Sequence, residues 1–307
     1  MNSPFRSTIP LLVLAAAVAA CHDTAAPPPP LALPPGELAF VSDRLIGQKD
    51  IYLMGTDGTI TNLTPTSFAY EGWPSWSPHG TQIAFESDRA LNGTVPQLDV
   101  YVMNADGSGA LQRLTTDTTN EFEPAWSPDG VTIAFVSDRD TLADGTQRFH
   151  IFVMNTDGTG VTRLTNSAAF DAQPAWSPDG TRIAFATNRD GNDEIYVMHA
   201  DGTNPVNLTN RLGTDLGPAW SPDGTKIAFY SNRDGDFAIF IMNADGTGVR
   251  QLTTSTPPDE LPSWSPDGRY ILFDSDADLY FINADGSNGP QQLTRGGQTD
   301  IMPRWRP

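Results

Sequence analysis

The sequence is poor in cysteine, histidine and positive charge. It contains one Cys and four His, and 18 Lys and Arg stand against 37 Asp and Glu, which gives a formal net charge of −19. A single cysteine cannot form an internal disulfide. Nucleic-acid backbones are held by clustered Lys and Arg, and the charge balance here is the opposite. Disulfide-stapled folds and nucleic-acid binding are therefore excluded.

Helical periodicity is missing as well. The 26 Pro and 27 Gly are spread along the chain, and both residue types destabilise the interior of a helix. Hydrophobic residues make up 38% of the sequence, and the 27 glycines raise that share to about 47%, the usual value for globular proteins. The chain can therefore bury a core, but coiled coils and helical bundles are excluded.

The first twenty residues are typical of a secretory signal. Arg6 stands in a short basic start, and an apolar run from Ile9 to Ala20 is too short to span a bilayer. The run ends in Val-Ala-Ala-Cys (18–21), which resembles the lipobox of bacterial lipoproteins, where the cysteine is acylated and becomes the new N-terminus. We predict a signal peptide over 1–20 and lipidation of Cys21. The alternative is an ordinary signal with a chance cysteine.

Residues 21–36 form the predicted linker. They include the proline runs 27–30 and 34–35, which favour a semi-rigid polyproline spacer. We expect an exported monomer that contacts the membrane through its lipid anchor alone. His22 follows the cysteine instead of the aspartate associated with inner-membrane retention in some bacteria. This favours the outer membrane, facing the periplasm or the cell surface.

From residue 37 to 307 the sequence repeats one unit six times. The marker is Pro-x-Trp, whose tryptophans are Trp76, Trp126, Trp176, Trp220, Trp264 and Trp305. The steps between them are 50, 50, 44, 44 and 41 residues, which bracket the period of a four-stranded propeller blade.

One unit shows the strands clearly. Residues 174–177, 183–187, 195–198 and 206–209 are short apolar or β-branched runs separated by turns such as Pro178-Asp179-Gly180. Proline presets φ and glycine accepts a positive φ in such turns. The pattern predicts an antiparallel meander of four strands in each unit.

The two ends of the repeat region complement each other. It begins with a strand, 38–42, that corresponds to the second strand of a unit. It ends with a strand, 302–305, that corresponds to the first strand of a unit. The last strand would therefore complete the first blade and protect the sheet edges. We predict an all-β fold, a six-bladed propeller over 37–307 that is closed by its C-terminal strand.

The repeat resembles a known family. Residues 175–185 (AWSPDGTRIAF) and 188–198 (NRDGNDEIYVM) are similar to the propeller repeat of TolB, and also to the propellers of prolyl-oligopeptidase-type peptidases. The resemblance implies a face that receives a protein segment, as the TolB propeller receives the peptidoglycan-associated lipoprotein. Since only residues 22–36 separate Cys21 from the repeats, we expect a lipoprotein without the TolB N-terminal domain. A Gly-x-Ser-x-Gly elbow is absent from the sequence.

An acidic residue stands five positions before every repeat tryptophan. We call these residues the acidic ring: Glu71, Glu121, Asp171, Asp215, Asp259 and Asp300. They are predicted to lie at the start of each inner strand, on what we call the top face, and to bind a basic partner segment. The alternative is structural pairing with the arginines that follow the second strands: Asp300–Arg44, Glu71–Arg89, Glu121–Arg139, Asp171–Arg189 and Asp215–Arg233.

The sixth unit departs from this pattern. Ala277 stands where an arginine is expected, so Asp259 has no arginine in its own blade. With Glu260, Asp274 and Asp276 it forms an acidic gap that could attract a cationic group or Ca²⁺. The alternative is simple degeneracy of one repeat.

Two insertions on the top face, 90–98 and 140–148, are predicted to contact a partner. The alternative is that they are surface loops whose length has drifted without a function.

The four histidines are scattered, which disfavours a metal-dependent enzyme. We predict no catalytic residue and no cofactor other than Ca²⁺. The favoured function is a non-catalytic scaffold that binds an envelope protein or a basic peptide at the top face and channel mouth. The alternative is a carbohydrate binder or a carboxylate-dependent hydrolase or lyase. Six of the seven tryptophans are repeat positions and are expected in the core.

Overall fold

The protein is a closed ring of six four-stranded antiparallel sheets, seen in a computed structural model. The structure describes residues 36–45, 48–65, 69–89, 97–140, 148–254 and 256–307. The predicted signal peptide, Cys21 and the linker up to residue 35 lie outside the described residues. Within these ranges every blade contacts the next, and the last blade contacts the first. The predicted propeller is confirmed.

Each blade has four strands, which we call the inner, second, third and outer strand in order from the central channel outwards. The second strands are β1 (Leu38–Ser42), β5 (Gln82–Ser87), β9 (Thr132–Ser137), β13 (Arg182–Thr187), β17 (Lys226–Ser231) and β21 (Tyr270–Ser275). The third strands are β2 (Asp50–Met54), β6 (Asp99–Asn104), β10 (His150–Asn155), β14 (Glu194–His199), β18 (Ala238–Asn243) and β22 (Asp278–Asn283). The outer strands are β3 (Ile60–Asn62), β7 (Gln112–Arg113), β11 (Thr162–Arg163), β15 (Val206–Asn207), β19 (Arg250–Gln251) and β23 (Gln291–Gln292). The inner strands are β4 (Glu71–Trp76), β8 (Glu121–Trp126), β12 (Asp171–Trp176), β16 (Asp215–Trp220), β20 (Asp259–Trp264) and β24 (Asp300–Trp305).

The predicted ring closure is also confirmed. Strand β24 pairs antiparallel with β1, so the first blade has the order β24-β1-β2-β3. Blades two to six follow in chain order, each beginning with its inner strand. The hydroxyl of Ser42 donates to Asp300 Oδ1 at 2.6 Å across this junction. The first and the last strand of the propeller are thereby joined without a covalent bond.

The hydrophobic core lies between neighbouring blades. The second strands carry a fully buried phenylalanine in every blade: Phe40, Phe85, Phe135, Phe185, Phe229 and Phe273. Each ring packs against an aromatic ring of the third strand, as in the pair Phe185–Tyr196 at 5.8 Å between centroids. Burial of one such side chain contributes roughly 1.5–3 kcal/mol. This repeated layer explains why the second strands read as apolar runs.

Four of the six repeat tryptophans, Trp76, Trp176, Trp220 and Trp264, donate a hydrogen bond from Nε1 to a backbone carbonyl of a neighbouring blade. The indole Nε1–H of Trp176 donates to the carbonyl of Ala125 at 3.2 Å, and that of Trp220 donates to Ala175 at 3.1 Å. Trp76, Trp220, Trp264 and Trp305 are buried, whereas Trp126 and Trp176 are half-buried. The expected core position is confirmed for the four buried tryptophans and not for Trp126 and Trp176.

A β-bulge interrupts every inner strand. The pairing register shifts after the second residue, and the third residue has a positive φ between 48° and 60°: Trp73, Glu123, Gln173, Gly217, Leu261 and Met302. A proline follows in each case and has no N–H for the ladder. Bulges redirect side chains, and here five of these six third residues line the central cavity.

Candidate functional site

The acidic ring lies beneath the top face. Its six carboxylate residues are 0–1% exposed, and each is the first residue of an inner strand. The carboxylates are therefore not presented directly to solvent. Direct contact with a partner is not tested by this geometry, and binding by the ring stays a proposal.

The structure brings together all five predicted acid–arginine pairs. The shortest N···O distances are 2.7 Å for Arg44–Asp300, 2.6 Å for Arg89–Glu71, 3.2 Å for Arg139–Glu121, 2.8 Å for Arg189–Asp171 and 2.6 Å for Arg233–Asp215. Each guanidinium also lies over the buried aromatic pair of its blade, as Arg189 lies 4.7 Å from the Tyr196 ring centroid. Four of these arginine side chains are 15–21% exposed, whereas that of Arg233 is 3% exposed, so the first four form the rim that a partner would meet.

Burial changes the acid–base behaviour of two ring members. It raises the pKa of Glu71 to about 8, although Arg89 opposes the shift. It raises the pKa of Glu121 to about 7 in the same way, against hydrogen bonds from Thr119 and Ser137. Near neutral pH both residues are therefore partly protonated, and the negative field of the ring is weaker than its six carboxyl groups suggest.

A tight turn explains the missing arginine of the sixth blade. Ser275 pairs directly with Asp278, so the hairpin loop consists of Asp276 and Ala277 alone. Both have a positive φ, 50° and 66°, which is the type I′ geometry of two-residue hairpins. The position that carries the rim arginine in the other blades is Ala277 here, and it lies within the turn itself.

The four acidic residues proposed for Ca²⁺ have different surroundings. Asp259 and Asp274 are buried, Glu260 is half-buried opposite Asp274 in the strand register, and Asp276 is exposed in the turn. Among the described residues, no three His, Cys, Asp or Glu side chains are grouped so that they could hold a metal ion. Ca²⁺ binding here stays a prediction.

Three aromatic rings form a ladder on the top face. Phe122 packs edge-on against Phe149 at 5.4 Å between centroids, and Phe149 packs against Phe170 at 5.2 Å. All three are half-buried. They lie where the inner strands of the third and fourth blades begin, next to the insertion at 140–148. Sequence reasoning missed this ladder, although Phe122 and Phe170 flank ring members in the repeat frame.

The two insertions are only partly visible. Residues 90–96 and 141–147 lie outside the described residues. The prediction that the insertions contact a partner therefore has no structural counterpart here. Their flanks are described, and Asp140 accepts a 2.8 Å hydrogen bond from Arg163.

A central cavity of about 320 Å³ lies in the channel below the bulges. Its wall includes the prolines and tryptophans of the inner strands and prolines of the Ser-Pro-x-Gly turns, such as Pro222 and Pro266. It therefore extends towards the face opposite the acidic ring, which we call the bottom face. Among the described residues, its charged lining side chains are those of Glu123 and Arg304, and Pro307, the last residue of the sequence, also lines it.

Polar side chains link the bulges around the channel. Glu86 accepts a hydrogen bond from the N–H of Glu123 at 2.9 Å, Glu123 accepts one from Gln173 at 2.6 Å, and Gln173 accepts one from Gly217 at 2.7 Å. Each bond runs from the bulge of one blade to a side chain of the preceding blade. The buried N–H groups left by the register shift are thereby satisfied.

Asp274 does the same at the other side of the ring, where it accepts a hydrogen bond from the N–H of Met302 at 3.2 Å. Burial raises the pKa of Glu86 and Asp274 to about 8 and that of Glu123 to about 7. The sequence signal for this layer was weak, because the second and third inner-strand positions both differ in all six blades and only the proline that follows them repeats.

The described residues contain no helix with the length and hydropathy needed to cross a membrane. The fold defines the chain as a six-bladed β-propeller. The sequence profile of the TolB beta propeller domain matches residues 141–212 and 206–307. The chain belongs to this family.

Solved structures show the same fold. TolB from Acinetobacter baumannii has a TM-score of 0.74 and 22% identity, over 89% of this chain and 67% of that chain. A chain of a nidogen/laminin complex gives 0.68 and 13%, over 88% and 98%. A manganese-bound oligogalacturonate lyase gives 0.58 and 16%, over 85% and 74%. A comparison with curated proteins gives no match.

Proposed function

We propose that this protein is a lipid-anchored envelope scaffold that binds another protein, without catalysis, through the top face and channel mouth of its propeller. The observation that carries the proposal is the aromatic ladder of Phe122, Phe149 and Phe170, which is half-buried on the top face. Rigid aromatic side chains are enriched among the residues that dominate protein interfaces. The TolB family membership supports a binding propeller.

The acidic ring has an indirect role in this proposal. Its carboxylates hold the rim arginines in place, as Asp171 does for Arg189 at 2.8 Å, and thereby shape the surface around the ladder. The protein carries a net charge of −19, which favours a basic segment of an envelope protein as the partner through long-range steering. Lipidation of Cys21 and the linker to residue 36 would hold the binding face away from the membrane.

The test is capture of proteins from native envelope extracts after photo-cross-linking. The native chain is compared with a variant carrying Phe122→Ala and Phe170→Ala. Val131→Ala is the matched control, because Val131 is an exposed apolar residue, 57% exposed, in a bottom-face turn. We expect at least one envelope protein to be cross-linked by the native chain and the control, and at least tenfold less by the double variant.

Equal capture by all three proteins would contradict binding at the ladder. Capture of glycan fragments in place of protein would instead favour the carbohydrate alternative. The fold likeness to oligogalacturonate lyase makes a polysaccharide screen the next experiment in that case. Circular dichroism melts of each variant separate a lost contact from a lost fold.

A further inference from the structure

The central cavity is built like a small-molecule site. Its volume of about 320 Å³ lies at the lower end of the range for such sites, roughly 300–1,000 Å³. Proline, tryptophan and alanine residues form much of the wall, and polar groups such as those of Ser75, Gln173 and Ser263 contribute about as much of the lining as apolar groups do. Ligand sites combine apolar side chains with polar groups that fix the orientation of the ligand. The cavity is separate from the top-face ladder of the proposed function.

Arg304 breaks the repeat within this cavity. It is the fifth residue of the inner strand β24, and the equivalent residues of the other five blades are all small: Ser75, Ala125, Ala175, Ala219 and Ser263. The five other blades show that the fold does not need a long side chain here. Burial of a charged group costs desolvation energy. The fold alone does not account for this arginine.

The guanidinium of Arg304 has spare hydrogen-bonding capacity. Its Nη1 donates to the carbonyl of Pro303 at 2.9 Å, and its carbon lies 5.7 Å from the Trp73 ring centroid. Among the described residues, none of the ion pairs within 4.0 Å includes Arg304. A guanidinium has five N–H donors, and within the described part of the chain one of them donates to a protein atom, the carbonyl of Pro303. Arg304 itself lines the cavity.

The nearby carboxyl groups offset this charge only partly. Asp274, Glu123 and Tyr230 are the titratable groups that interact electrostatically with Arg304. Glu86 accepts a hydrogen bond from the backbone N–H of Glu123. Asp274 and Glu123 each accept a hydrogen bond from a backbone N–H. Burial lowers the pKa of Arg304 only to about 10, so it stays charged at neutral pH. Burial raises the pKa of Glu86, Glu123 and Asp274, which weakens the negative charge that faces Arg304.

We propose that the central cavity binds an organic carboxylate with an apolar body, whose carboxylate accepts hydrogen bonds from the guanidinium of Arg304. Paired N–H donors of arginine match the two oxygens of a carboxylate. The proline and tryptophan wall encloses the apolar body. The carboxylate belongs either to a free small acid or to the C-terminus of a peptide, and both share this chemistry.

The test is isothermal titration calorimetry on the full chain at pH 6.5 with four probes. 3-Phenylpropionate represents a small acid, N-acetylphenylalanine represents a peptide terminus, and the amide of each is the uncharged control. We expect a Kd below 1 mM for at least one acid, and at least tenfold weaker binding of its amide. Preference for one acid over the other identifies the source of the carboxylate. No binding of either acid up to 10 mM, or equal binding of the amide, overturns the proposal.

Arg304→Ala tests the residue itself. Alanine is the repeat's own residue at this position in three blades, so the variant is expected to keep the fold, as melting checks. We expect at least tenfold weaker binding. Arg269→Ala is the matched control, because it removes an arginine that is 66% exposed and lies outside the channel. Full affinity in Arg304→Ala overturns the proposal. If Arg304→Ala fails to fold, Arg304→Lys is used, and unchanged affinity and amide discrimination there overturn it.

Discussion

Arg233 Nη2 lies 2.6 Å from Asp215 Oδ2, and the two side chains are 3% and 1% exposed. The pair is the most buried of the five acid–arginine pairs, and Arg233 also lies 5.0 Å from the Phe229 ring centroid. Removal of one member of a buried pair leaves an uncompensated charge. The rim of this blade therefore depends on both residues being present.

We expect Asp215→Asn to lower the free energy of unfolding by about 3–5 kcal/mol. Urea titration followed by tryptophan fluorescence measures it. Asp234→Asn is the control, because its partner Arg211 and Asp234 itself are 57% and 44% exposed, and such pairs contribute about 0–1 kcal/mol. Equal effects of the two substitutions would show that the rim pair does not stabilise the fold.

The two-residue turn of the sixth blade should be improved by glycine. Ala277 has a φ of 66°, a conformation that costs an alanine roughly 1 kcal/mol and a glycine little. We expect Ala277→Gly to raise the free energy of unfolding by about 0.5–1 kcal/mol. Ala244→Gly is the matched control in a turn that lies outside the positive-φ residues, and it should be neutral or destabilising. A destabilised Ala277→Gly would contradict the type I′ geometry.

The pH dependence of stability follows from the channel carboxyl groups. Burial raises the pKa of Glu86 from 4.5 to about 8, so the folded state holds this proton longer than the unfolded state does. Its contribution to stability is present below about pH 4.5 and is lost as the pH rises through about 8. Glu86→Gln removes the titration and keeps an acceptor oxygen for the N–H of Glu123.

We therefore expect a smaller loss of stability between pH 5 and 8 in Glu86→Gln than in the native chain, measured by urea titrations at each pH. Asp57→Asn is the control. Hydrogen bonds from Thr59 lower the pKa of this exposed carboxyl, so its effect has the opposite sign and lies at lower pH. An unchanged slope in Glu86→Gln would mean that Glu86 is ionised in the folded protein throughout this range.

Lipidation of Cys21 is a prediction from the sequence alone. In a bacterial host we expect the native chain to incorporate labelled palmitate and to partition into Triton X-114. Cys21→Ser should lose the label and remain in the aqueous phase. The full proline linker is kept in both proteins, so the cysteine is the only difference. Label in Cys21→Ser would assign the lipid to another residue.

Most of the fold could be predicted from the repeated sequence pattern. The predicted strands 183–187 and 195–198 correspond to Arg182–Thr187 and Glu194–His199. The bounds were predictable because each apolar run lies between turns that fix where the strand begins and ends. The predicted inner strand 174–177 was too short at its start, since the strand is Asp171–Trp176 with a bulge in the middle. A single register shift breaks the alternation of faces, which hides the beginning of the strand.

The site was less accessible to sequence reasoning for the same reason. The pairs of Asp171 with Arg189 and of Glu71 with Arg89 follow from strand direction, and the structure has them. The channel wall depends on which way each bulged residue points, and the one-residue shift at the bulge decides that. Arg304 was visible as an exception to small repeat residues, but its surroundings required the ring to be closed.

The joining of β24 to β1 also governs how the chain can fold. Ser42 and Asp300 are 258 positions apart in the sequence, and contacts of such separation are associated with slow folding because long loops close at an entropic cost. The first blade therefore cannot be completed while the chain is still emerging from a ribosome or a translocation channel. Until the last six-residue strand arrives, β1 keeps an open edge, and this interval is when the protein is most exposed to aggregation and proteolysis.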